Sequence, residues 1–114
     1  MHFILSDEAS QHVLESHAKI QEDLIMIIYQ ISKQACAGSY LDYYIELTSK
    51  KSLMSPELYE KSDMVEINNG IKIEVYIEKR ILVDFQGIDY ILIDVNIIKK
   101  FNENFISLIL KEYK

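Results

Sequence analysis

Sulfur chemistry in this chain falls to one residue. Cys36 is the only cysteine, so neither an intramolecular disulfide nor a Cys-x-x-Cys metal site can form. It stands in Gln34-Ala35-Cys36-Ala37-Gly38-Ser39, a run of small residues that lets a ligand or a second backbone come close. A deprotonated thiol in such a loop is a candidate ligand for a soft metal. The competing reading is a small buried hydrophobe. Lys33 is the one cation nearby in sequence that would favour the thiolate.

The other candidates are weaker. The histidines are His2, His12 and His17. Five residues of helix separate the last two by about 140° around the axis, a poor arrangement for a shared metal, so surface or half-buried structural roles are expected. The carboxylates Asp42, Glu46, Asp63, Glu66, Glu74, Asp84, Asp89 and Asp94 are scattered, with no pair spaced for acid–base work, and read mostly as solvated strand faces. There is no phosphate loop, GxGxxG, GxSxG or HExxH. Tyr40, Tyr43 and Tyr44 follow the cysteine loop. They could line a partner surface, but cross-strand packing is the simpler role. Nothing assembles a nucleophile, a base and an orienting group, so a protein without catalytic activity is expected.

The elements that must position these residues are bounded by composition. At 114 residues the chain is expected to be a single domain, 1–114, and with 49% hydrophobic and 26% charged residues it is globular rather than disordered. A net charge of −6 is the wrong sign for collecting phosphates or anionic lipids, so nucleic acid and membrane surfaces are disfavoured as partners. The start, Met1-His2-Phe3-Ile4-Leu5-Ser6-Asp7, lacks the basic and apolar regions of a signal peptide. The longest nearly apolar run, residues 24–31, is far short of the roughly 20 needed to span a bilayer. A cytoplasmic protein is expected.

Nineteen isoleucines against three glycines and one proline favour strands wherever the pattern allows them. Residues 3–5 read as a short strand. Ser6 then caps a helix over about residues 7–19, with Asp7 and Glu8 at the positive end of its dipole. Residues 23–32 are apolar on both faces, as in a strand buried on both sides. A loop over 33–38 and a strand over 40–48 follow. Residues 49–62, with Pro56, read as a long loop with one helical turn near 57–61. Val65 and Ile67, then Ile71, Ile73, Val75 and Ile77, alternate with polar residues around Asn68-Asn69-Gly70, the signature of a hairpin with one buried face. Residues 81–85 read as a further strand after a turn or a single helical turn at 78–80. Gln86-Gly87 breaks the chain, and residues 88–95 form the next strand, with Ile91 and Ile93 on one face. Residues 105–110 suit a last strand or a short helix. Short connections favour antiparallel pairing. The expected fold is α+β and mostly antiparallel, a small β-sandwich or twisted sheet with one N-terminal helix.

This order of elements carries a resemblance. Ile4-Leu5-Ser6-Asp7-Glu8-Ala9-Ser10 opens a helix; an apolar strand, a loop with Cys36-Ala37-Gly38 and another strand follow. Then come the run from Asp63-Met64-Val65-Glu66-Ile67 through Asn68-Asn69-Gly70 to Ile71-Lys72-Ile73-Glu74-Val75, and Gly87-Ile88-Asp89-Tyr90. Over about residues 3–95 the chain resembles the HesB/IscA-like iron–sulfur cluster biosynthesis family, the A-type carriers. The resemblance implies a compact HesB-like β fold and a role in carrying iron or an iron–sulfur cluster, with Cys36 as the metal ligand and iron–sulfur assembly proteins or a second copy of the chain as partners. Typical carriers have Gly-Cys-Ser-Gly where this chain has Ala35-Cys36-Ala37-Gly38, so Cys36 and Gly38 match. They also have a C-terminal Cys-Gly-Cys, which the divergent tail, residues 97–114, lacks. Cluster iron is commonly held by four thiolates. One chain offers one and a symmetric dimer two, so a weak or degenerate carrier is implied. The alternative is an interaction module that kept the fold and lost the metal, with the apolar tail closing the core or forming a dimer interface.

Overall fold

The computed structural model of the chain describes residues 1–20, 23–35, 38–67 and 70–113. Strand β1 (His2–Leu5) leads into helix α1 (Asp7–Lys19). Ser6 is extended and its Oγ accepts the Ala9 N–H at 3.1 Å, satisfying one of the donors that a helix start leaves open. Ala9 and Val13, four apart, bury α1 against the sheet.

Strand β2 (Leu24–Ala35) is buried without interruption from Leu24 to Ile28. Leu24, Met26 and Ile28 enter the core. Ile25 and Ile27 are on the other face, flanked in the ladder by Thr48 and Glu74 and by Glu46 and Tyr76, whose longer side chains stand beside them. Strand β3 (Gly38–Ser49) pairs with β2 from Leu24↔Ser49 to Ala35↔Gly38. The loop expected over 33–38 is therefore shorter: Lys33, Gln34 and Ala35 extend β2 and pair with Tyr40, Ser39 and Gly38. Cys36 and Ala37 lie outside the described residues.

The loop expected over 49–62 is shorter as well. It holds two 3-10 turns, Lys50–Ser52 and Pro56–Leu58, and strand β4 (Tyr59–Ile67) already begins at Tyr59. The charged stretch Glu60-Lys61 hid that strand, because it lies exposed beside β5 (Ile71–Glu78) with no alternation to mark it. The β4–β5 hairpin forms as expected, paired from Tyr59↔Glu78 to Ile67↔Ile71, while Asn68 and Asn69 of its turn lie outside the described residues. Val65, Ile67, Ile73, Val75 and Ile77 are all buried, and Gly70 adopts φ 73°, a left-handed conformation that costs glycine little.

Residues 81–85 are not a strand. They close a 3-10 helix, Lys79–Phe85. A strand would put Ile81, Val83 and Phe85 on one face, but Ile81 and Phe85 are buried while Val83 is 61% exposed. Spacing of four, not two, serves the core here. Strands β6 (Tyr90–Lys100) and β7 (Glu103–Tyr113) form the last hairpin, so the tail is a strand and not a helix. Phe101 and Asn102, between Lys100 and Glu103, have φ 52° and 63°, the pair of positive angles that a type I′ hairpin turn requires.

All seven strands belong to one sheet, in the order β1-β6-β7-β3-β2-β5-β4. Four of the six pairings are antiparallel; β1–β6 and β2–β5 are parallel. The expectation of antiparallel pairing rested on short connections. Here the chain between parallel partners runs through other strands, so no crossover helix is required. The sheet curls until its edges meet: the Phe3 N–H on β1 donates to Asp63 Oδ2 on β4 at 2.8 Å. Enclosed are Phe3, Ala9, Val13, Met26, Ile28, Ile73, Val75, Ile77, Ile81, Phe85, Ile91 and Ile93, part of one apolar cluster, each isoleucine contributing about 1.5–3 kcal/mol by leaving water. The fold is α+β and mostly antiparallel, one curled sheet with an N-terminal helix.

Candidate functional site

Cys36 joins Ala35 to Ala37, and Ala35 is the register partner of Gly38 at the end of the β2–β3 ladder. The cysteine itself lies outside the described residues. The aromatic residues further along these strands pack as cross-strand pairs. Tyr29 and Tyr44 are register partners with ring centroids 6.0 Å apart and an interplanar angle of 23°. The Tyr29 hydroxyl donates to Glu46 Oε2 at 3.4 Å, and burial first, then the Glu46 charge, raises its pKa. Tyr43 lies against Phe85 at 5.3 Å and donates to Asp84 Oδ2 at 2.8 Å. That pair ties β3 to the 3-10 segment.

The three histidines stand in three separate places. His2 is beside Asp63, Nδ1 to Oδ1 3.8 Å, and near Tyr90, 6.0 Å between rings. His12 faces the β6–β7 hairpin across a cavity. His17 lines another cavity with Asp23, Lys50 and Glu74. Among the described residues, no three His, Cys, Asp or Glu side chains come together to hold a metal ion.

Two carboxylates that the sequence left among solvated faces have definite structural tasks. Asp63 follows an irregularity in the β4–β5 register between Lys61 and Asp63. An extra residue of this kind re-aims the side chains beyond it. Asp63 then falls on the same side of β4 as the buried Val65 and Ile67, and there it accepts the Phe3 N–H. Asp94 accepts from Ser6 Oγ at 2.6 Å, the Val95 N–H at 2.8 Å and Lys111 Nζ at 2.9 Å. The Ser6 hydroxyl first, then Lys111, hold its pKa down at about 2. No local signal could show either role, because the partners are 60 and 88 residues away. Glu74 accepts from the Tyr76 hydroxyl and lies 3.5 Å from Lys50 Nζ. The Tyr76 bond lowers the pKa of Glu74 and raises that of Tyr76, while the Glu74 charge raises that of Lys50. These groups brace neighbouring elements of the fold.

No protein-family model matches this chain, and no curated protein does. Among solved structures, a crystal structure of Escherichia coli SufA, described as involved in biosynthesis of iron–sulfur clusters, is similar to it. The match covers 93% of this chain and 77% of SufA, with 14% identity and a TM-score of 0.46. Among the described residues no helix is long and apolar enough to cross a membrane.

Proposed function

We propose that this chain is a HesB/IscA-like protein of iron–sulfur assembly that takes iron or a cluster as transient cargo through Cys36. The remaining ligands come from an assembly protein or a second copy. The observation that carries the reading is the register of two twelve-residue strands. With Ala35 paired to Gly38, the one thiol falls at their connection, where the carrier resemblance also asks for a cysteine followed two residues later by glycine. The donor count argues for shared cargo, since clusters commonly take four thiolates and this sequence has one cysteine. The role is delivery rather than catalysis, in the cytoplasm, where a thiol stays reduced.

Anaerobic incubation with ferrous iron and sulfide, followed by visible absorption, tests this. Wild type is expected to develop sulfide-to-iron absorption at substoichiometric level, and Cys36→Ala to lose it. The same signal in both proteins removes Cys36 as the ligand. No signal in wild type favours the second reading, a metal-free interaction module.

A further inference from the structure

Helix α1 leaves part of the β6–β7 hairpin face beside it uncovered. On that face Ile93, Val95 and Ile97 of β6 are the register partners of Leu110, Leu108 and Ile106 of β7. Ile93 and Leu108 are buried, but further out Ile97 is 56% and Ile106 46% exposed. The face stays apolar after the core has ended, and an apolar sheet face is what helices cover. Val95, Ile97 and Ile106 floor a groove of about 390 Å³ whose wall is the flank of α1, with Asp7, Glu8 and Glu15. Those three acids are exposed, and among the described residues none of them forms an ion pair with a Lys, Arg or His side chain.

We infer that this groove binds an amphipathic helix of another protein, aliphatic along one stripe and basic along one flank of that stripe. The charge pattern selects this occupant. Glu8 and Glu15 are seven residues apart, which is about 10.5 Å along α1. A helix laid beside α1 repeats the same interval between its own residues seven apart. With aliphatic residues at heptad positions a and d on Ile97 and Ile106, one flanking position of each heptad faces α1. Lys or Arg at that position in two successive heptads meets Glu8 and Glu15 together. The exposed Lys99 ends the floor toward the hairpin tip, so the basic flank of the occupant is the one on α1 alone. The net charge of −6 draws a basic partner in and sets its orientation. Helix α1 of a second copy is a poor occupant, because its acidic flank would meet like charge. This is recognition by a helix in a groove, with apolar anchors for affinity and flanking charges for choice of partner. It uses no residue of the β2–β3 connection and stands apart from the iron reading. Peptide binding reads this one and visible absorption the other, so either can fail alone.

The test is fluorescence anisotropy of two labelled synthetic peptides with the full chain, near-UV circular dichroism confirming that each variant is folded. Both peptides have about 18 residues, long enough to hold a helix, with Leu at a and d and Ala elsewhere; one has Lys and the other Glu at the flanking position of every heptad. Wild type is expected to bind the lysine peptide with a Kd of about 100 μM or tighter and the glutamate peptide at least about 10-fold more weakly. Ile97→Asp is expected to weaken the lysine peptide at least about 10-fold, as loss of a central apolar anchor does. The double variant Glu8→Lys with Glu15→Lys is expected to reverse the preference and take the glutamate peptide. Both of its sites are exposed, so it carries the test should Ile97→Asp fail to fold. Equal binding of the two peptides by wild type, binding of neither, or a preference that the double variant does not reverse overturns the inference. So does light scattering that finds a wild-type dimer which Ile97→Asp dissociates, since a second copy would then fill the groove.

Discussion

Asp94 shows how much one side chain can hold together. Its carboxylate receives Ser6 Oγ, the Val95 N–H and Lys111 Nζ, so it joins the start of α1, β6 and the end of β7. Because the folded protein holds its pKa at about 2 against the ordinary 3.8, the charged form is favoured by folding. That contribution is complete above the ordinary value and is lost as pH falls from 3.8 toward about 2. Urea unfolding midpoints are therefore expected to drop over that window in wild type and to drop less in Asp94→Asn. An equally steep acid loss in the variant would show that other carboxylates cause it. The sequence offered Asp94 only as one acid among eight. Its meaning depends on Ser6, which strand pairing across the molecule brings within hydrogen-bond reach.

At the scale of elements, the legible parts were those with local periodicity. Ser6 with Asp7 and Glu8 marked the helix start, and Val65 to Ile77 around Asn-Gly marked the β4–β5 hairpin. The 3-10 segment was missed because Ile81, Val83 and Phe85 satisfy strand alternation in letters, and only burial separates Val83 from the other two. The cysteine connection was placed in the right interval but given too many loop residues, since the polar Lys33 and Gln34 gave no sign that they pair with Tyr40 and Ser39. The meeting of β1 with β4 was not legible at all. It depends on Asp63, a side-chain acceptor that takes the place of a strand partner for the Phe3 N–H. Asp63→Ala leaves that donor without its carboxylate and is expected to cost about 1.5–3 kcal/mol, as for other hydrogen bonds to charged groups. The accompanying sign is faster hydrogen exchange at the Phe3 amide, with little change at the β2–β3 amides. Unchanged exchange at Phe3 would mean that the edges are held by apolar packing alone.

The molecule as a whole depends on a strand that the sequence left undecided. In the order β1-β6-β7-β3-β2-β5-β4, strand β7 stands between the β1–β6 pair and the other four strands. It is joined to β6 along most of its length but, among the described residues, to β3 at the one registered position Ile45↔Leu108, with Leu108 buried in the core. The tail therefore closes the core with its inner half, while the outer half of the β6–β7 hairpin presents Ile97, Ile106 and Lys99 to solvent. These two tasks separate under truncation. Deleting residues 101–114 strips Leu108 from the core and opens the edges of β6 and β3 at once, and unpaired edges invite aggregation. What then ties the β1–β6 pair to the rest is α1 and the Asp63 contact. Neither replaces a strand, because a sheet of this kind gains its stability from continuous pairing over a shared core. The truncated chain is expected to lose the cooperative thermal transition of the full chain by near-UV circular dichroism and to bind a hydrophobic dye. The double variant Ile97→Asp with Ile106→Asp, which alters only the outer half, is expected to keep the transition. A truncated chain that still melts cooperatively as a monomer would show that the remaining six strands close the core without β7.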